Sequence, residues 1–204
     1  MLVSVPVEHW EDLGRRNLEE VRQNASAIMH PPDGILLPFL KEYLLVDIGN
    51  RHIRYQVHGG WERMDHPLLE LLCLAYLLQA GPESLDHEII GVQELKSAHF
   101  FRGPHELNVR SLIDRYGNDV EGFKRAAGAM GGESTDMADA SYVFPAFPKV
   151  PVHYLLWEGD EEFRPRLSIL FDRSIEHHLS ADTIWGLVNL LSDMVLTGHT
   201  FRSR

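Results

Sequence analysis

The sequence predicts an α+β fold in which antiparallel meanders carry helices packed on one face. Two observations lead there. Short β-like runs gather in two stretches, Ile35 to Val57 and Tyr142 to Asp172, and each stretch leads into a strongly apolar helix-length segment, Leu68 to Leu78 and Ala181 to Leu196. In addition, 204 residues that are 44% hydrophobic and 24% charged, with no Pro/Ser/Gly linker between the stretches, predict a single globular domain over 1–204.

The elements follow in chain order. Leu13, Leu18, Val21, Ala25 and Ile28 recur at helical spacing and predict an amphipathic helix over 9–29, ended by Pro31-Pro32-Asp33-Gly34. The first meander and its helix occupy 35–80: strands at Ile35 to Phe39, Tyr43 to Asp47 and His52 to Val57, with Gly49-Asn50 taking positive φ in a tight turn. Pro67 then opens a helix, apolar almost all round, that stops at Gly81-Pro82. The middle, 83–132, is more polar. It holds a short strand at Ile89 to Val92, helices over Leu107 to Tyr116 and Val120 to Met130, and a closing Gly131-Gly132. Glu133 to Ala140 lacks apolar periodicity, which predicts a mobile loop. A second meander and helix fill 140–198, with strands at Tyr142 to Phe144, Val152 to Glu158 and Arg166 to Asp172 and with Ser180 as hydroxyl N-cap of the last helix.

Tyr43-Leu44-Leu45-Val46-Asp47 and Tyr154-Leu155-Leu156-Trp157-Glu158 lie 111 positions apart, each before a Gly-containing turn and another strand. Two pseudo-repeated βββα units explain this, and so does a chance match of strand words.

Charge and motifs exclude several function classes. With 19 Lys+Arg against 30 Asp+Glu, the formal charge is -11, so a polyanion is repelled on average and no nucleic-acid partner is expected. No apolar run approaches the roughly 20 residues of a membrane span. Met1 to Glu8 lacks a signal-peptide pattern, and the lone Cys73 forms no internal disulfide, so the expected location is cytoplasmic. Gly128 to Thr135 lacks the lysine of a P-loop, Gly-x-Ser-x-Gly is absent, and Cys73 sits mid-helix, where a thiol is inert. No catalytic residue is expected.

Two constellations remain. The acidic turn Glu158-Gly159-Asp160-Glu161-Glu162, with Trp157 before it, is a candidate ligand or partner loop, although turn architecture accounts for the same residues. In that account Gly159 takes positive φ, Asp160 bonds amides across the turn, and Phe163 anchors in the core. The second constellation is His153, Asp172, His177 and His178. Pairing of Val152 to Glu158 with Arg166 to Asp172 sets Asp172 opposite Val152 and gathers imidazoles and a carboxylate that suit zinc or iron, whereas the alternative makes Asp172 a cap. The twelve histidines otherwise scatter.

One stretch is distinctive: Ala140-Ser141-Tyr142, Pro148-Lys149-Val150-Pro151, Leu156-Trp157-Glu158-Gly159-Asp160-Glu161-Glu162-Phe163 and Ile169-Leu170-Phe171-Asp172-Arg173-Ser174. It resembles an uncharacterised family of anaerobic bacteria and archaea catalogued as domain of unknown function number 3786. The resemblance implies a setting in anaerobic metabolism, near corrinoid or metal enzymes, and assigns no activity. Some relatives carry a cysteine-rich iron-sulfur segment, but one cysteine cannot hold a cluster, so none is expected here. The functional expectation is an accessory or binding protein for a partner enzyme or small ligand. A metal-dependent hydrolase using the His/Asp set is the alternative, and homodimerisation a third arrangement.

Overall fold

The computed structural model describes residues 7–32 and 34–202. Asp33 of the expected turn and Met1 to Pro6 of the N-terminal stretch lie outside them. The fold is α+β, with six helices and two antiparallel five-stranded sheets among the described residues. No helix among them is long and apolar enough to cross a membrane.

The first helical segment is two helices, not one. α1 spans Val7–Arg15 and α2 Leu18–Ala25, because Asn17 caps a new start by accepting the amides of Glu19 and Glu20, and Ser26 ends α2 in the left-handed region. The residues beyond it, Ile28–His30, form strand β1. β2 (Gly34–Phe39), β3 (Glu42–Asp47), β4 (His52–Val57) and β5 (Gly60–Arg63) complete the first sheet in sequential order. In the β3–β4 turn the left-handed residue is Arg51, at φ 54, and not Gly49 or Asn50. Asp47 makes this turn by accepting both the backbone and side-chain N–H groups of Asn50, each at 3.0 Å.

α3 spans Pro67–Gln79, with Pro67 in its first turn and His66 Nδ1 accepting the Leu69 amide. β6 (Ile89–Gly91) ends before Val92, which starts a 3-10 turn instead of extending the strand. α4 (Arg110–Tyr116) begins three residues later than expected, after a 3-10 turn over Gly103–His105, and α5 (Val120–Ala129) starts on its Asp119 cap. The stretch expected as a loop opens with β7, Glu133–Thr135. Ser141 Oγ then ties the connection down by donating to Thr135 O at 2.6 Å and accepting Met137 N–H at 2.9 Å. β8 (Ala140–Phe147), β9 (Val150–Trp157) and β10 (Arg166–Asp172) complete the second sheet, in the order β6-β10-β9-β8-β7, before α6 at Ala181–Thr197.

Helices α3 and α6 pack on each other, α1 and α2 on α3, and α4 and α5 on α6. The sheets meet where β2 passes β8: Leu40 N–H donates to Pro145 O at 3.0 Å, and the Phe39 and Phe147 rings lie 5.5 Å apart. One buried hydrophobic cluster draws on both sheets and every helix.

Candidate ligand pocket

The His/Asp constellation begins with a register. Leu170 lies opposite His153 and Phe171 opposite Val152, one residue away from the expected pairing of Asp172 with Val152. Alternation along β10 therefore places Asp172 on the same face as His153. Both are buried, yet Asp172 is fully occupied by protein donors. Its Oδ1 accepts the Asp86 amide and the Ser174 amide and hydroxyl, and its Oδ2 accepts the His87 amide, all within 3.0 Å. Burial works to raise its pKa, but these four bonds outweigh burial and hold the carboxyl below the usual carboxylate range. Asp172 is thus a cap for the 3-10 turn Arg173–His177 and a clamp on 86–87.

His177 is half exposed and faces Glu83 at 3.6 Å. His178 is fully buried, and neither of its ring nitrogens has a partner. Burial, assisted by the Lys149 ammonium, pushes its pKa down to about 4. Among the described residues no three or more His, Cys, Asp or Glu side chains are placed to hold a metal ion, so His153, Asp172, His177 and His178 are not assembled as a zinc or iron centre.

The acidic turn is architecture in part. Asp160 Oδ1 accepts the Glu162 and Phe163 amides at 2.8 and 2.6 Å, as expected, and these bonds lower its pKa. Gly159, however, has no positive φ. Its missing side chain makes room: a Cβ there would lie 2.6 Å from Pro165 Cδ and 3.0 Å from Asn118 Oδ1. Phe163 is not a core anchor, since it is 69% exposed. Trp157 carries the Arg166 guanidinium 4.0 Å above its ring, while Glu158, Glu161 and Glu162 are exposed.

A different place combines an apolar wall with several polar side chains. Between α1, α3, α6 and the segment 100–105 lies a cavity of about 370 Å³. Trp10 Nε1 donates to Glu70 Oε1 at 2.9 Å, which fixes α1 on α3 and sets His9 at the cavity. Leu68, Leu71, Leu72 and Ala75 supply the apolar wall from α3, spaced as one helix face. On α6, Ser180 occupies the cap position but makes no cap bond through its side chain. Its hydroxyl instead donates to Asp182 Oδ1 at 2.6 Å, and its amide donates to Gln79 Oε1 at 2.8 Å, which ties the end of α3 to the start of α6.

Three aromatic rings finish the wall. Phe100 stacks on His105 at 4.4 Å, and His105 meets Trp185 edge-on at 5.5 Å. Trp185 Nε1 and His9 Nδ1 are buried without a hydrogen-bond partner, an arrangement that costs free energy unless something else satisfies them. The Thr183 hydroxyl, on a residue that also lines the cavity, lies 2.8 Å from Ser180 Oγ. The Cys73 thiol is buried, and burial raises its pKa. The cavity thus joins an apolar wall to a set of polar side chains, His9, Gln79, His105, Asp182 and Thr183.

Sequence reasoning missed this site because its polar residues are distributed. His9, Gln79, His105 and Trp185 belong to four separate segments, and the cavity face of α3 cannot be told from its core face in a helix apolar all round.

A family model described as a domain of unknown function (DUF3786) matches residues 17–194, a span that includes every cavity residue except His9. No curated protein and no solved structure matches the chain.

Proposed function

The chain belongs to the DUF3786 family of unknown function, and on that premise we propose that it is a binding protein that takes a small molecule between α1, α3 and α6. The observation that carries this is the cavity itself, to which α3 gives an apolar wall of Leu68, Leu71, Leu72 and Ala75 and whose lining also holds the polar residues His9, Gln79, His105, Asp182 and Thr183. A cavity of about 370 Å³ falls within the range of small-molecule sites, roughly 300–1,000 Å³. The metal-dependent alternative is less well supported, because Asp172 already accepts four protein hydrogen bonds and no three His, Cys, Asp or Glu side chains among the described residues are grouped to hold an ion.

A fragment library followed by thermal shift tests the proposal. Hits are expected to raise the melting temperature of the full chain by mass action and to lose that effect in Leu71→Trp, where the larger side chain fills the cavity. Hits unaffected by Leu71→Trp, in a variant that still unfolds cooperatively, would place binding elsewhere.

A further inference from the structure

We infer that the open edge of β10 docks an extended, non-acidic segment of a partner protein by strand addition. This edge is separate from the cavity between α1, α3 and α6, and nothing in the inference depends on the binding role proposed there. β6 covers only part of β10. It pairs Gly91 with Leu170, Ile90 with Phe171 and Ile89 with Asp172, and the chain then turns away as a 3-10 turn at Val92. The rest of β10, from Arg166 to Ile169, is paired with β9 on one side and with no strand on the other among the described residues.

One bond shows which backbone groups face the open side. Just beyond the strand, Arg173 N–H donates to Glu88 O at 2.9 Å, so the odd-numbered residues of β10 turn their N–H and C=O groups toward β6 and the even-numbered ones toward β9. Leu167 and Ile169 therefore point to the open side, and among the described residues the Leu167 N–H, the Leu167 C=O and the Ile169 N–H have no hydrogen-bond partner there. They border a space of about 230 Å³ between β10 and the segments 91–93 and 101–109. A row of backbone groups that repeats every second residue is complemented by another extended backbone, whose own groups repeat at the same step. The wall sets the side-chain pattern. Partner residues opposite Leu167 and Ile169 share their face of the sheet, where both are buried and where Leu107 and Val109 pack against the same core, so these positions take apolar side chains. The residue between them falls on the opposite face with Ser168 and can be polar. Glu106 is the one charged side chain lining the space, and the chain carries a formal charge of -11, so an acidic segment is disfavoured.

The probe is a synthetic peptide of alternating valine and lysine in three forms: unmodified, N-methylated on the valines, and N-methylated on the lysines. With the valines opposite Leu167 and Ile169, their N–H groups point at β10 and those of the lysines point away, so only valine methylation removes the pairing donors. Binding to the full chain is followed by NMR titration, together with amide hydrogen exchange along β10. In the free chain the Leu167 and Ile169 amides are expected to exchange at least about tenfold faster than those of Ser168 and Leu170, which face β9. The unmodified and lysine-methylated peptides should slow the exposed pair, and the valine-methylated peptide should bind at least about tenfold more weakly than either.

Equal affinity of the two methylated peptides, binding that leaves Leu167 and Ile169 unprotected, or no binding at millimolar peptide would overturn strand addition. Slow exchange of both amides in the free chain would overturn it as well, because the edge would already be closed, and by a second copy of the chain where light scattering reports a dimer. A peptide of alternating valine and glutamate is expected to bind more weakly than the lysine form, and equal binding would overturn the charge preference.

Discussion

Four donors on one buried carboxylate make Asp172 a structural residue, and its removal leaves the Asp86, His87 and Ser174 amides without their acceptor. Asp172→Ala should therefore lower the unfolding free energy by roughly 3 kcal/mol in urea titrations, and Asp172→Asn, which keeps an acceptor oxygen, by less. Equal losses would mean that the carboxylate charge rather than its acceptor geometry matters. His178 gives a pH dependence of definite sign. Its folded pKa of about 4 lies below the usual 6.5, so the unfolded chain takes up the proton first as pH falls. The charges around it are Lys149 and His177, which push its pKa down, and Glu83 and Asp172, which push it up. The stability contributed by neutral His178 is complete above pH 6.5 and is lost between there and about pH 4, for a total of about 3 kcal/mol. His178→Leu should flatten that part of the stability curve, and an unchanged slope would show that other groups carry it. The sequence displayed Asp172 and His178 as metal-ligand types, but whether they ligate or cap depends on amides 86 residues away in the chain, which no local pattern reveals.

At the scale of elements, the β9–β10 connection docks on the α4–α5 turn through a glycine pair. Gly159 N–H donates to Gly117 O at 3.1 Å, and Pro165 lies so close that a Cβ on Gly117 would come within 2.7 Å of it. Gly159→Ala should destabilise by about 1–3 kcal/mol through overpacking against Pro165, measured by chemical unfolding, whereas Phe163→Ala should change stability by no more than about 0.5 kcal/mol because the ring is exposed. That order reverses the one expected if Phe163 filled a core site. The same connection exposes Phe163 and Arg164, so limited proteolysis should cut there first, before the 136–139 connection that Ser141 ties to β7. First cleavage between Glu133 and Ala140 would contradict this. β2 and β10 were legible because burial alternates along most of their length, and α6 because its apolar stripe of Ile184, Leu187, Val188, Leu191, Met194 and Val195 is buried. The breaks were harder to read. Asn17 is a good N-cap in composition, but the apolar positions on either side of it keep a common helical phase and conceal the gap.

In the whole molecule, α1 and α2 are followed by β1 to β5 and α3, and α4 and α5 by β7 to β10 and α6. Contacts between the two sets join β2 to β8 and α3 to α6. The Tyr words do not mark a repeat of the two. The first hairpin turn pairs Phe39 with Glu42 and the second pairs Phe147 with Val150, so Tyr43 falls level with Pro151 and Val46 with Tyr154, three positions out of register. An odd shift changes the face, and Tyr43 is accordingly 46% exposed while Tyr154 is fully buried. The two Tyr words therefore stand at different levels and on different faces of their sheets. The contact between the two sets has an energetic consequence. Each half covers its inner helix with the other's, and Tyr76, on α3, receives the Lys149 amide of the second half on its hydroxyl at 3.3 Å and stacks on Phe147 at 4.5 Å. A half alone would expose α3 or α6 along a face that is buried in the whole. Unfolding should thus be one transition with coincident circular dichroism and fluorescence midpoints. If the chain is divided between Ser84 and Leu85, each fragment alone should lack a cooperative transition, and mixing the two should restore it. Two separate transitions, or either fragment melting cooperatively by itself, would mean that the α3–α6 and β2–β8 contacts join two independent domains instead of completing one core.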